Sequence, residues 1–331
     1  MEQIFGYPLR GKKLQALKEF LSREGLDYDE GIRFTVLLTE GDAILATGSL
    51  DGSVCKCIAV SAAHQGENLT ATVITALRQQ AFSQGIRHLF LYTKPKNRLL
   101  FEQLSFYPVA ETEDTLLMEN QRDGIAQFVR SLGRPDKSGV VGAVVANCNP
   151  FTLGHQYLLE QAASACDLVH LFILSEEKSL FPAADRLALA RAGTAHLPNV
   201  LVHETGNYLI SSATFPTYFI RDKERIPAIR CRLDLEIFSR WFAPALGITR
   251  RFVGSEPFSA VTDAYNREML AFLPPRGIEV TVLARKELGG EAISASRVRA
   301  LLEQGALAET RALVPETTFA YLQTHFPALP R

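Results

Sequence analysis

Val140-Val141-Gly142-Ala143-Val144-Val145-Ala146-Asn147-Cys148-Asn149-Pro150-Phe151-Thr152-Leu153-Gly154-His155 runs from an apolar stretch through Asn-Pro into Gln156 to Ala163, where apolar residues recur at helical spacing. A short unbroken apolar run predicts a strand buried on both faces, as in a parallel sheet. The loop after it places Thr152, Gly154 and His155 at a helix N-terminus, where backbone N–H groups and the helix dipole favour an anion. Glycine at 154 lets the backbone approach a ligand closely. Histidine at 155 can donate a hydrogen bond to a phosphate oxygen as charge develops there. The plainer reading is a strand–turn–helix whose histidine caps its own helix, so the stretch needs support from elsewhere in the chain.

That support comes from Ile293-Ser294-Ala295-Ser296-Arg297-Val298-Arg299, about 140 residues later. Pro150 to His155 resembles the (H/T)xGH signature of the nucleotidyltransferase superfamily, and the later segment resembles its ISxSxxR pattern. Two motifs in the expected order carry far more weight than one. The resemblance implies adenylyl transfer, in which the α-phosphate of ATP is attacked in line and pyrophosphate leaves; such transfer needs positioning and positive charge more than covalent catalysis. It assigns catalysis to His155, Thr152 and Arg299. Thr152 stands where many relatives carry a first histidine, so it offers a hydroxyl but no charge. Ser294 and Ser296 can cap the following helix and offer donors to the β- and γ-phosphates. Arg299, one turn on, can fork onto the same oxygens. The remaining expected ATP contacts are Asn147, Pro150, Phe151, Gly154, Lys178, Gly254, Glu256, Tyr265, Asn266 and Ile293. Arg186 is a weaker candidate of the same kind, and Arg285-Lys286 adds positive charge before the second motif. Mg²⁺ is expected on the ATP phosphates, since it keeps several waters and few protein ligands; no protein metal site is read.

Strand and helix patterns alternate from residue 139 onward, with strands read at Leu168–Leu174, Val200–Glu204, Arg250–Gly254 and Glu279–Leu283. Such alternation predicts a doubly wound, Rossmann-like parallel sheet with its site at the strand C-termini. His203-Glu204-Thr205-Gly206-Asn207 lacks the second histidine of a zinc-protease helix. Walker, GxGxxG and GxSxG motifs are absent in the contexts they require.

Residues 1–125 read differently: helix Lys12–Glu24, strands Phe34–Glu40, Ala43–Gly48 and Val54–Val60, helix Leu69–Ser83, strand Leu89–Thr93, helix Asn97–Leu104 and strand Thr115–Met118. This α+β order resembles the GNAT acyltransferase fold. In that family a (Q/R)xxGx(G/A) loop binds the pyrophosphate of acyl-CoA. Here the loop is Gln65-Gly66-Glu67-Asn68-Leu69-Thr70, with Asn68 and Thr70 in place of the small residues, and Asn97 begins a segment similar to the family's Asn…Phe…LGF. The resemblance implies a site for a CoA-like arm at Gln65, Gly66, Glu67, Asn68 and Asn97, without acetyl transfer, because no general base is evident. Residues 126–138, polar and bearing Gly133 and Pro135, read as a linker, with one helix over Ile125–Leu132 in the connection.

A GNAT-like domain joined to a Thr-x-Gly-His nucleotidyltransferase domain is similar to the [citrate (pro-3S)-lyase] ligase family. Asn147 to His155, Ser211-Ser212-Ala213-Thr214-Phe215-Pro216-Thr217-Tyr218-Phe219 and Gly254-Ser255-Glu256-Pro257-Phe258 carry that likeness over nearly the whole chain. It implies that acetate and ATP give acetyl-adenylate and pyrophosphate, and that the acetyl group passes to the CoA-derived thiol of the citrate lyase acyl carrier subunit. The residues alone leave two alternatives open: a coenzyme-biosynthetic adenylyltransferase of the dephospho-CoA or NAD type, and a module that holds nucleotide or CoA without turnover.

Composition sets the outer bounds. The chain has 331 residues, 47% hydrophobic and 21% charged, with net charge -1. A soluble globular protein of about two domains is expected, with no basic surface for nucleic acid or an anionic membrane. No apolar run reaches the ~18 residues of a membrane span, and Met1 to Gly11 does not read as a signal peptide. The cysteines, Cys55, Cys57, Cys148, Cys166 and Cys231, form no CxxC pair, which suits reduced thiols in a cytoplasm.

Overall fold

The computed structural model describes residues 1–133, 139–175, 179–209, 215–255 and 260–326, the side chains of 260–263 excepted. The chain forms two compact units. One comprises Met1–Ile125 with Phe215–Glu236; the other comprises Ala126–Thr214 with Ile237–Arg331.

The first unit runs β1 (Glu2–Gly6), α1 (Gly11–Arg23), β2 (Phe34–Glu40), β3 (Ala43–Asp51), β4 (Val54–Val60), α2 (Leu69–Ser83), β5 (Phe90–Thr93), α3 (Arg98–Gln103), β6 (Tyr107–Glu111) and β7 (Leu116–Glu119), followed by α4 (Gly124–Ser131). Its strands make one sheet in the order β1-β2-β3-β4-β5-β7-β6. Apolar residues of the sheet, among them Val36, Leu38, Leu91 and Met118, close a core with Val73, Ile74 and Leu77 of α2. The order of elements is the α+β order expected of a GNAT-like domain. The strands at 2–6 and 107–111 were not foreseen; the first is short and half polar, and the second contains Pro108.

Within this sheet every pairing is antiparallel except that of β4 with β5. These two are paired only at Val54↔Phe90 and Cys55↔Leu91. Beyond that point they part, and Ile58, Ala59 and Val60 face a cavity together with Tyr92 and Thr93.

The second unit runs β8 (Val141–Ala146), α5 (Leu153–Ala165), β9 (Leu168–Ile173), α6 (Ala183–Thr194) and β10 (Val200–Glu204). After α7 (Ile226–Ile237) come a π-helical turn (Phe238–Phe242), α8 (Ala243–Leu246), β11 (Arg250–Gly254), α9 (Ala260–Phe272) and β12 (Glu279–Leu283). A hairpin of β13 (Glu287–Leu288) and β14 (Glu291–Ala292) leads to α10 (Ala295–Glu303), α11 (Leu307–Thr310) and α12 (Glu316–His325). The sheet is parallel, in the order β10-β9-β8-β11-β12. This is the doubly wound sheet read from the alternation. Successive strands step outward from β8 to β10, and the chain then returns to the other side of β8 for β11 and β12. The strand order therefore reverses between β8 and β11, which is where open parallel sheets place their ligand crevice. Phe181, Ile293, Val298, Leu313, Phe319 and Leu322 form a separate apolar cluster that packs α10 to α12 together.

The units do not follow the expected boundaries. Residues 139–331 were read as one domain, but Phe215–Glu236 belongs to the first unit by contact. Asp27 N donates to the Tyr218 carbonyl at 2.8 Å, Lys223 pairs with Asp27, and Arg225 pairs with Asp114 at 2.9 Å. Phe215, Tyr218 and Phe219 are buried there. The helix read at Ile125–Leu132 within the connection is α4, Gly124–Ser131; residues 134–138 lie outside the described residues.

Candidate active site

β8 ends at Ala146, and the chain turns sharply through Cys148, which adopts a left-handed backbone (φ 50°). The Cys148 thiol is buried, and burial pushes its pKa up to about 12, so it is no nucleophile near neutral pH. Arg186 of α6 holds this turn. Its guanidinium, 0% exposed, donates to the carbonyls of Asn147 and Leu174 at 2.8 Å each and of Phe181 at 3.1 Å, and also to the Asn147 side chain. Arg186 is thus a buried strut between the ends of β8 and β9 and the start of α6, not a solvated phosphate contact. Asn149 accepts from Phe181 N through Oδ1 at 3.1 Å.

Thr152 is the N-cap of α5, and its hydroxyl accepts from His155 N at 3.4 Å. In return Thr152 N donates to His155 Nδ1 at 3.1 Å. This reciprocal arrangement is a capping box with histidine in the usual place of glutamate. It also fixes the imidazole tautomer: Nδ1 accepts, so the proton is on Nε2, which is left as a donor. The ring stacks on Phe151, centroids 5.7 Å apart. Burial, and after it the nearby Arg285 guanidinium, push the His155 pKa down to about 4. His155 is therefore neutral at pH 7 and acts as a hydrogen-bond donor rather than a cation. Capping and phosphate contact, posed above as rivals, are compatible, because they use different nitrogens.

The two motifs meet. A Cβ at Gly154 would lie 2.7 Å from the Ile293 carbonyl oxygen, so only glycine permits this approach. Ser294 is the N-cap of α10 and accepts from Arg297 N at 3.2 Å. Arg299 donates to the Asn149 carbonyl at 2.6 Å and to Ser296 Oγ at 3.1 Å, tying the second motif to the loop of the first. The α5 and α10 N-termini, Arg299 and His155 thus share one place, at the C-terminal end of β8.

On the other side of the strand-order reversal, Asn266 of α9 donates to the Gly254 carbonyl at 3.0 Å and fixes the end of β11. Arg285, just past β12, donates to the Ser255 carbonyl at 2.8 Å. Burial lowers the Arg285 pKa, although the group stays cationic. The sequence singled out Arg285 only as extra charge; its side chain lies against the end of β11, 3.9 Å from where a Cβ at Gly254 would stand. Tyr265 is half-buried on α9. Of the expected ATP contacts, Lys178 and Glu256 lie outside the described residues; the rest sit on the loops and on the strand and helix ends just described or, as Tyr265 and Asn266 do, on α9, with Pro150 between Asn149 and Phe151. Among the described residues no group of three or more His, Cys, Asp or Glu is disposed to hold a metal ion.

In the first unit, Gln65, Gly66, Asn68 and Asn97 line the cavity of about 580 Å³ in the β4/β5 wedge; Glu67 does not. Asn68 is left-handed (φ 57°) at the start of α2 and makes no side-chain cap. His64 also lines the cavity, whereas His88 packs away from it, 2.6 Å from Glu119.

A parallel sheet carrying a phosphate-adapted strand–loop–helix and a second capped helix beside it defines a nucleotidyltransferase-type α/β unit, joined to a GNAT-like α+β unit. Comparison with known proteins narrows this class. The family model for the citrate lyase ligase C-terminal domain matches residues 141–322. The "[Citrate [pro-3S]-lyase] ligase" of Escherichia coli (strain K12) is 40% identical over 94% of this chain and 91% of its own. That of Haemophilus influenzae is 36% identical over 94% of this chain and 96% of its own. The chain belongs to the [citrate (pro-3S)-lyase] ligase family. A shorter likeness, 34% over 19% of the chain and 40% of the relative, reaches a phosphopantetheine adenylyltransferase of Staphylococcus carnosus. Among solved structures, an acyl-CoA N-acyltransferase from Pseudomonas aeruginosa aligns with 37% of this chain and 100% of its own, at 16% identity and TM-score 0.33.

Proposed function

We propose that this chain is an ATP-dependent acid–thiol ligase that acetylates the prosthetic thiol of the citrate lyase acyl carrier, working in two steps. In the first, an acetate oxygen bonds to the α-phosphorus of ATP, the bond to the β-phosphate oxygen breaks, and pyrophosphate leaves. In the second, the carrier thiol attacks the acetyl carbonyl, the thiol proton is lost to solvent or a base, and AMP leaves.

The observation that supports the first step is the meeting of the two motifs at the strand-order reversal. His155 Nε2–H is a neutral donor for an α-phosphate oxygen, held in its tautomer by Thr152 N. Arg299 and Arg285 supply charge for the oxygens that become pyrophosphate. The N-termini of α5 and α10 add main-chain donors. Magnesium neutralises phosphate charge and arrives bound to ATP; this donor set, rich in Arg, Ser and main-chain N–H, fits its phosphates rather than the ion itself. Gly254, Asn266 and Tyr265 would frame the adenosine. The thiol arm belongs to the first unit, in the β4/β5 wedge, where parted strands leave main-chain groups for the amides of an extended ligand. A cytoplasmic enzyme fits the reduced cysteines, all of which are buried and free of disulfides, and among the described residues no helix is long and apolar enough to cross a membrane.

The test is pyrophosphate–ATP isotope exchange with and without acetate, followed by mass analysis of the carrier. Acetate-dependent exchange and an acetylated carrier are expected. Exchange that needs a dinucleotide instead of acetate would select a coenzyme adenylyltransferase, and no exchange under either condition would remove both.

A further inference from the structure

Three cations line the wedge cavity, and one of them comes from outside residues 1–125. Lys94, which follows β5, and Lys96 line it, and so does Arg221, from the segment Phe215–Glu236. No ion pair or hydrogen bond engages the side chain of any of the three among the described residues, and the single carboxylate in the lining, Glu24, pairs with none of them. All three line the same cavity, and burial first, then Arg221 and Lys96, lower the Lys94 pKa. Like charges gathered without a counter-ion are unfavourable unless an anion joins them.

Their positions are built rather than incidental. Arg221 lies over Gly25, whose left-handed backbone (φ 74°) and missing Cβ leave room for the guanidinium. The same inserted segment supplies part of the cavity wall. Tyr218, 7% exposed, donates its hydroxyl to the Tyr92 carbonyl at 3.3 Å inside the wedge, and Phe219 lies beside it. The loop that family likeness would have chosen for phosphate also lines the cavity, but there Asn68 and Thr70 bring side chains where close approach needs small residues.

We infer that Lys94, Lys96 and Arg221 form a phosphate-reading cluster that selects the phosphorylated end of a pantetheine-type thiol arm, with Arg221 delivered by residues 215–236. Anion recognition in this unit thus rests on side-chain cations that line the wedge. This deepens the function proposed above and rests on its assignment of the first unit to the thiol arm. The phosphorylated pantetheine could come from the carrier's arm or from free coenzyme, and both present the same phosphate ester to the cluster.

The experiment titrates full-length protein with pantetheine, 4′-phosphopantetheine, dephospho-CoA and CoA by calorimetry. Carrier bearing its arm serves as a competitor. Affinity should rise from pantetheine to the phosphorylated probes, and the rise should shrink with added salt. Arg221→Gln, and Lys94→Gln with Lys96→Gln, should each lose about three- to tenfold of affinity for phosphorylated probes, a range set by charge-assisted bonds weakened by solvent. Pantetheine binding and the thermal midpoint of these variants should not move, and Arg221→Lys should restore part of the loss. Displacement of 4′-phosphopantetheine by the carrier marks the arm as the ligand; displacement by CoA alone marks the free coenzyme. Equal binding of pantetheine and CoA by wild type, no binding of any probe, or CoA binding by the variants as tight as wild type would overturn the assignment. Acetate-dependent pyrophosphate release by wild type is measured alongside. Its loss would strike the ligase reading while leaving the binding result to decide the cluster.

Discussion

Replacing Gly154 by alanine tests the contact between the two motifs of the proposed active site. The added Cβ would sit 2.7 Å from the Ile293 carbonyl oxygen, whereas ordinary contact begins at 3.4 Å, so the two backbones must part by about 0.7 Å. The obstacle is main chain, and no side chain can swing aside to relieve it. Two effects oppose. Alanine favours a helix over glycine by up to ~1 kcal/mol, and by less in a first turn. Overpacking of this kind costs about 1–3 kcal/mol. The clash wins, with a net loss of about 1–2 kcal/mol and a drop of a few degrees in the melting point. The kinetic effect should be larger. Moving the α5 N-terminus from α10 separates His155 from Arg299, and a misplacement near 1 Å costs about 10²-fold in rate. We expect Gly154→Ala to slow acetate-dependent pyrophosphate release about 10- to 100-fold, with only a modest loss of stability. Both are read on one preparation, by coupled pyrophosphate assay and calorimetric melting. An unchanged rate and melting point together would refute the argument that the two motifs must touch.

His155→Ala should slow adenylate formation by roughly 10²–10³, the usual loss for one oxyanion-type donor; near-normal pyrophosphate release would remove His155 from the mechanism. In NMR titration of the ligand-free protein, the His155 ring should carry its proton on Nε2 and titrate near pH 4, not 6.5. A histidine with a lowered folded pKa gives stability that is complete above pH 6.5 and fades as pH falls through about 4; His203, also lowered to about 4 by burial and then Arg191, adds to the same window. Melting points that hold steady from pH 7 down to 4 would contradict both. Arg299→Lys should weaken ATP binding and slow turnover, since one ammonium cannot bridge the Asn149 carbonyl, Ser296 and a phosphate as a planar fork does; ATP affinity and rate both within about twofold of wild type would make Arg299 dispensable. Arg186→Lys leaves buried carbonyls short of donors and should cost about 2–4 kcal/mol, seen as a lower urea midpoint, while a wild-type midpoint would dismiss the strut. A fragment of residues 136–331 should aggregate, because Phe215, Tyr218 and Phe219 lose the unit that buries them; a monomeric, cooperatively melting fragment would argue the opposite.

Much of the second unit was readable because its signals are local. The run Val140–Ala146 announces a doubly buried strand, Thr152 and Ser294 stand where helix caps must stand, and Gly154 lies where no Cβ fits. Capping and close approach are settled within a few residues of chain, so their spelling survives in the sequence. Arg186 shows the limit. An arginine one turn into a helix that follows a strand reads as a weak phosphate candidate, and nothing nearby reveals that the carbonyls of Asn147 and Leu174 will surround it together with that of Phe181. Arg285 is similar, since only the fold brings the end of β12 to His155.

The segment 215–236 is the instructive case. Its run Phe215-Pro216-Thr217-Tyr218-Phe219-Ile220 is apolar enough to demand burial, but periodicity says only that a residue is buried, never against what. It lies between β10 and β11, elements of one sheet, so continuity along the chain assigns it to that sheet's unit. The actual partners are Asp27, Tyr92 and Asp114, more than a hundred residues earlier, and the bonds that decide the matter are a main-chain pair, a tyrosine hydroxyl on a carbonyl, and two surface ion pairs. Each is ordinary alone, and none leaves a motif. Because the segment leaves the α/β unit after β10 and re-enters it through α7, the two units cannot be separated by a single cut in the chain. The two units are therefore joined by two further crossings of the chain besides the one near residue 125. A protein that had merely appended a GNAT-like domain to an adenylyltransferase would need only that one.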